Sequence, residues 1–233
     1  MRNDERFIVA FNKIEKYFDQ QIRDTRYVPF HRAVQRLRKS NPIVSHYQQD
    51  LLEFSELRNA IVHERTGHEY TIADPHDDIV ELIEKIEQEL TAPETVGNLF
   101  GKTLRTIQAD LTIEEVLNII KETTFSQFPV YVSKQFIGLL TDKCILHFIA
   151  QRMNGDCSKL FNTEVRELLK EDAVKEANYQ FVPSAMSVFE AEAIFMEAMK
   201  KNKVIDALLI TDSGESYDKL KGLISPTDLI KIE

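Results

Sequence analysis

Apolar residues at Phe7, Ile8, Phe11, Ile14, Tyr17 and Phe18 recur at helical spacing between Glu5 and Arg23, with charges between them, and predict an amphipathic helix. A second helix is predicted from near Pro29 to Ser40-Asn41-Pro42, where the proline discourages continuation. Leu51, Phe54, Leu57 and Ile61 form the inner stripe of a third, running from about Val44 to Glu64 and closing near Gly67. Beyond the loop Ile72-Ala73-Asp74-Pro75, Asp77 and Asp78 lead into Ile79, Val80, Leu82, Ile83, Ile86 and Leu90, with acidic residues where the helix dipole favours them. Residues 1–91 therefore read as an all-α bundle.

The pattern changes after Thr91-Ala92-Pro93. Leu104-Arg105-Thr106-Ile107 predicts a short strand, and Thr112-x-x-Glu115 is a capping box for a helix reaching about Thr123. Phe128 to Val132 and Phe136 to Leu140 form a hairpin across Ser133-Lys134-Gln135, and Asp142 to Met153 a helix. Asn154-Gly155 is turn chemistry, and Glu164 to Lys170 a short helix. The order then recurs as strand Tyr179 to Val182, helix Val188 to Lys201, strands Ala207 to Ile210 and Leu220 to Ile224, and helix Pro226 to Ile232. The expected fold is α + α/β: a helical bundle over 1–91, then β-α-β-β-α repeats over 93–153 and 162–233.

Composition agrees with a globular protein: 233 residues, 43% hydrophobic and 29% charged. The net charge of −9 is shared by both halves, so neither is a generic nucleic-acid binder, and no DNA partner is expected. Cys144 and Cys157 fall in no metal or redox spacing, which suits a reducing cytoplasm. No targeting signal is visible, and no run approaches the ~18 apolar residues of a membrane span. No metal site is expected: His63-Glu64 with His68 lacks the paired histidines of a zinc helix, and His76 with Asp77 and Asp78 lies past a loop.

The repeat is sharpest in two strings, Gly138-Leu139-Leu140-Thr141-Asp142-Lys143-Cys144-Ile145-Leu146 and Gly222-Leu223-Ile224-Ser225-Pro226-Thr227-Asp228-Leu229-Ile230. Each runs from a glycine through two aliphatics and a hydroxyl into a helix. Ser225 as N-cap, Pro226 at N1 and Asp228 at N3 would stabilise a helix start. The same groups suit a ligand: a helix N-terminus with a serine hydroxyl is a ready phosphate site, and a carboxylate one turn on can accept ribose hydroxyls.

These strings, in this order of elements, resemble a tandem pair of cystathionine-β-synthase (CBS) domains, a Bateman module, over about residues 93–233. The resemblance implies two sheets packed about a pseudo-twofold axis, with clefts that hold adenine nucleotides such as AMP, ATP or cyclic di-AMP as regulatory ligands and no required cofactor. It implies that Asp228 takes the ribose and Ser225 and Thr227 the phosphates, while Phe181, Val182 and the backbone at Ile205, Asp206 and Ala207 hold the base. Lys203 is placed to neutralise a phosphate. A second cleft, around Phe128, Pro129, Thr141 and Lys143, is expected to be weaker, because Cys144 stands at the ribose position and cannot accept two hydroxyl hydrogen bonds as a carboxylate does. Asp142 beside it would repel an anion unless Lys143 compensates.

In the helical region the sharp string is Leu57-Arg58-Asn59-Ala60-Ile61-Val62-His63. Asn59 and His63, four apart, share one helix face, while Arg58 falls in the apolar arc and calls for a partner there. An internal ion pair would satisfy it. The Arg-Asn-x-x-x-His pattern also resembles the HEPN superfamily (higher eukaryote and prokaryote nucleotide-binding domain), many of whose members are metal-independent ribonucleases with the site at a dimer interface. That resemblance implies His63 in proton transfer, Arg58 on phosphate charge and Asn59 orienting the pair. A basic run, Arg32, Arg36 and Lys39 near His31, Tyr27 and Phe30, reads as a solvated helix face or as a surface for RNA. The expected function is a cytoplasmic, homodimeric sensor of an adenine nucleotide that needs no enzyme chemistry. The alternative is a ribonuclease regulated through the CBS pair.

Overall fold

In the amphipathic stretches the apolar stripes close on one another as helices. The computed structural model describes residues 1–24, 26–63, 73–102, 104–123, 125–152, 157–170 and 178–230, with the side chains of His63, Cys157 and Ser158 outside that description. Two units divide the chain: Met1–Glu94 with Ser187–Ala193, and Thr95–Met186 with Ile194–Glu233.

The first unit contains α1 (Asn3–Ile22), α2 (Phe30–Leu37), α3 (Pro42–His46), α4 (Gln48–His63) and α5 (Asp77–Thr91). Helix α1 packs on α5, α2 and α4, burying Phe7, Phe11, Ile14 and Phe18 against Phe30, Leu51, Phe54, Ile61, Ile83 and Ile86. The rings interlock, with Phe7 edge-on to Phe54 at 5.6 Å and Phe11 4.5 Å from Phe30. At the rim, the Arg6 guanidinium donates to both oxygens of Glu84 at 3.0 and 2.7 Å, and this holds the Glu84 carboxyl below its usual range. The predicted third helix is two. Asn41 Oδ1 accepts from the Ile43 and Val44 amides at 3.0 and 3.1 Å, with Pro42 at the first helical position, so α2 closes at Leu37 and Pro42 starts a separate helix, α3. The expected continuation to Glu64 and Gly67 lies outside the described residues.

The second unit opens with α6 (Val96–Phe100) and holds two three-stranded sheets. In the first, β1 (Ile107–Gln108) runs parallel to β2 (Gln127–Val132), which pairs antiparallel with β3 (Gln135–Thr141). Helix α7 (Ile113–Thr123) makes the crossover that a parallel pair requires. After β3 come α8 (Asp142–Arg152), α9 (Cys157–Phe161) and α10 (Val165–Leu168). The second sheet repeats this order: β4 (Tyr179–Pro183) parallel to β5 (Ala207–Thr211), β5 antiparallel to β6 (Gly222–Ile224), with α11 (Val188–Lys200) as the crossover and α12 (Pro226–Leu229) last.

Strand β1 is displaced from the predicted Leu104–Ile107, because pairing begins only where Ile107 comes opposite Val130 and is buried. The sheets meet through Leu139, Ala207 and Leu209, beside an aromatic group in which Phe136 lies 5.4 Å from Tyr179 and 5.2 Å from Phe181. Among the described residues no helix is long and apolar enough to cross a membrane.

Candidate functional site

Both repeated strings end at the mouth of one cleft. Strand β3 delivers Thr141 to the start of α8, and β6 delivers Ser225 to the start of α12. A cleft of about 690 Å³ is lined by residues from both places: Thr141, Asp142 and Lys143 from the first, and Ser225, Pro226, Thr227 and Asp228 from the second. Ile205 and Asp206, just before β5, and Ser126 and Gln127, at the start of β2, line it as well.

At the second string the groups bond one another. The Ser225 amide and hydroxyl donate to Asp228 Oδ2 at 2.9 and 2.6 Å, a reciprocal cap, and the Ser225 and Thr227 hydroxyls lie 2.9 Å apart. The first string makes half of that arrangement. Thr141 Oγ1 accepts from the Cys144 amide and donates to its sulfur, both at 3.2 Å, and no carboxylate returns the bond to the turn. Asp142 Oδ1 accepts from the Lys143 amide at 2.8 Å. The Lys143 ammonium instead reaches Asp206 Oδ1 at 2.9 Å. That hydrogen bond, with the carboxylate's charge, holds Lys143 above its ordinary range.

Of the residues expected to hold a nucleotide, Ile205, Asp206, Ser225, Thr227 and Asp228 share the cleft, and so do Thr141 and Lys143, which the sequence assigns to a separate, weaker one. The others are elsewhere. Val182 and Ala207 are buried in their strands, Phe181 meets the Phe136 ring of the other sheet edge-on, and Phe128 and Pro129 are buried in β2. Lys203 is exposed and not part of the lining. The lining also includes Lys102, Arg105 and Phe125, which no motif singles out.

In the helical unit, Arg58 and Asn59 are neighbours, with Arg58 Nη1 3.5 Å from Asn59 Oδ1. Arg58 Nε is buried with no hydrogen-bond partner among the described residues, and the guanidinium carbon lies 6.0 Å from the Phe11 ring centre. The internal ion pair, one of the partners the sequence leaves open for Arg58, is not made among the described residues. The His63 side chain lies outside them. In the basic run, Arg36 faces Asp24 at 3.4 Å.

The model of the CBS domain family matches residues 96–151 and 165–233, more than half of the chain. The chain belongs to the CBS domain family. Its CBS pair is similar to several solved structures. One is a putative signal-transduction protein with CBS domains from Burkholderia ambifaria MC40-6, 23% identical, with 57% of this chain and 83% of that one covered at a TM-score of 0.43. Another is CBSX2 in complex with AMP, 16% identical, covering 59% of this chain and 94% of that one at 0.43. A third is the CBS domain pair of protein MJ0100 in complex with 5′-methylthioadenosine and S-adenosyl-L-methionine, 13% identical, covering 60% and 95% at 0.44. No curated protein matches the chain.

Proposed function

We infer that this protein is an intracellular regulator that senses an adenine nucleotide through its CBS pair, with the helical domain dimerising and relaying the signal. The observation that carries this reading is the cleft wall itself. Two hydroxyls, Ser225 and Thr227, and the Asp228 carboxylate stand beside cations in a cleft whose volume of about 690 Å³ suits a small ligand. A carboxylate offers about four acceptor positions, enough both to cap a short helix and to take ribose hydroxyls. The hydroxyls and cations then receive phosphate.

Isothermal titration of the full chain with AMP, ADP, ATP and cyclic di-AMP tests this. Saturable binding of at least one nucleotide, weakened by roughly 100-fold in Asp228→Ala, is the expected result; no binding by any of them overturns it. Light-scattering mass with and without the bound nucleotide tests the assignment of dimerisation.

A second reading, a HEPN-type ribonuclease regulated by the CBS pair, is favoured by the buried Arg58 Nε without a partner among the described residues. A buried guanidinium nitrogen left unpaired is costly, and a phosphate or a second copy of the chain would repay it. Single-stranded RNA incubated with the full chain in EDTA, with and without nucleotide, decides this reading. Cleavage abolished by both Arg58→Ala and His63→Ala supports it; intact RNA under every condition removes it.

A further inference from the structure

In a chain whose net charge is −9, Arg23, Arg26, Arg32, Arg36, Arg38 and Lys39 crowd into one short stretch of the helical unit, and all are exposed. Asp24 is the one carboxylate between the first and the last of them. It lies 3.4 Å from Arg36 with both side chains open to solvent, and an exposed pair of that length neutralises little. Arg38 donates to the Gln48 amide oxygen at 2.6 Å, which orients the guanidinium and leaves its charge. Among the described residues, Arg23, Arg26, Arg32 and Lys39 meet no carboxylate.

Helix physics accounts for part of this arrangement. Arg36, Arg38 and Lys39 stand at the C-terminal end of α2, where the dipole favours cations. Arg32 stands in the first turn, where the dipole disfavours them, and α2 has no acidic residue there. Arg32 and Arg36, four apart, also repel each other. The other face of α2 is already used: Phe30, Ala33, Val34 and Leu37 are buried in the bundle core. The outer face therefore has no apolar stripe to insert into a lipid surface or to seat an apolar peptide.

A chain of phosphates fits what remains. Arg32 and Arg36 lie along one line of α2, with Lys39 just past its end. Gln35, exposed beside Arg36, adds a carbonyl acceptor among these donors. A phosphate has no use for an acceptor, whereas a ribose 2′-hydroxyl does. Tyr27, next to Arg26, is 77% exposed and offers an aromatic face on which an unpaired base can stack. The negative charge elsewhere on the chain is screened beyond about 10 Å at 0.1 M salt.

We propose that the stretch from Arg23 to Lys39 binds single-stranded RNA, with its cations on successive phosphates, Gln35 on a 2′-hydroxyl and Tyr27 stacked on a base. It shares no residue with the cleft lining and needs no cleavage chemistry, so it stands or falls apart from both readings above.

Fluorescence anisotropy of a labelled single-stranded RNA of about 15 nucleotides, titrated with the full chain in EDTA, tests it. Wild type binds with an affinity that falls steeply as salt rises. Arg32→Gln and Arg36→Gln each weaken binding severalfold, and each lowers the slope of log affinity against log salt by about 0.7. Both sites are exposed and glutamine suits a helix, so the fold is kept, and Arg32→Lys retains most of the binding. Tyr27→Ala weakens binding by roughly tenfold without changing the salt slope. Lys121→Gln, which removes an exposed cation on α7, changes neither. No RNA binding by wild type at low salt overturns the proposal. Equal weakening by Lys121→Gln does so too, since binding would then follow net charge alone. Single-stranded DNA or polyglutamate competing as well as RNA overturns the assignment to RNA. RNA that is bound yet left intact under every condition supports the proposal while removing the ribonuclease reading, and failure to bind RNA leaves the nucleotide reading standing.

Discussion

The strings Gly138–Leu146 and Gly222–Ile230 build the same strand-turn-helix from different supports. The helix after the first is 11 residues long and buries Ile145 and Phe148. Among the described residues the helix after the second spans Pro226–Leu229 and buries none of them. A longer helix gains its stability by packing, so a hydroxyl alone suffices to start it; a short one depends more on its cap. Asp228 therefore has a structural task that Cys144 does not. The first string nonetheless shows that this turn forms without a carboxylate.

The glycines differ in the same way. A Cβ at Gly222 would run into the Phe100 carbonyl, a backbone atom that cannot step aside, whereas at Gly138 it would meet only Leu169 side-chain atoms at 3.4 Å. The second string is hemmed in by backbone; the first has room.

Four measurements break or sharpen this comparison. The largest effect falls on what the strings share: Leu140→Ala and Ile224→Ala, both fully buried, each cost about 2–5 kcal/mol in denaturant unfolding. A negligible cost at either one would mean that the two sheets are not equivalent. Next is their chemistry, read by calorimetry. Asp228→Ala weakens nucleotide binding by roughly 100-fold, the loss of about two hydrogen bonds to a charged group, and Cys144→Ala leaves it unchanged. Equal losses at the two positions would dissolve the contrast.

Third, Gly222→Ala lowers stability by about 1–3 kcal/mol through overpacking, while Gly138→Ala is nearly neutral. Melting curves of the two variants check this. The smallest effect is in pH. Lys143 titrates higher in the folded chain because it bonds Asp206. The stabilisation is therefore complete below its ordinary value of 10.5 and is lost as pH rises through the higher folded value. The stability difference between wild type and Lys143→Gln should stay level from neutral pH to that point and shrink above it; a difference that shrinks already near neutral pH would show that the ion pair is not its source.

Much of the fold was legible because it follows from local rules. Of the stripe Leu51, Phe54, Leu57 and Ile61, all but Leu57 are buried, and Leu57 packs partly buried against the same core, and the capping box at Thr112 and Glu115 closes with bonds of 2.8 and 3.3 Å. Boundaries were less legible where two short helices follow closely, as α2 and α3 do on either side of Asn41. In the cleft, Ser225, Thr227 and Asp228 carry a local signature. Lys102 and Arg105 carry none, since a lone cation before a strand looks the same whether it faces solvent or a cleft.

The sequence by itself determined the helical bundle, the doubled β-α-β-β-α order and the inequality of Asp228 and Cys144, because periodicity, turn chemistry and side-chain type act over a few residues. Only the tertiary structure decided that Thr141 and Lys143 open onto the same cleft as Ser225 and Asp228, and that Lys143 is held by Asp206, 63 residues away. That pairing depends on how two sheets stack through Leu139, Ala207 and Leu209, and apolar contacts of this kind are non-directional, so no short string of residues encodes which charged groups they bring together.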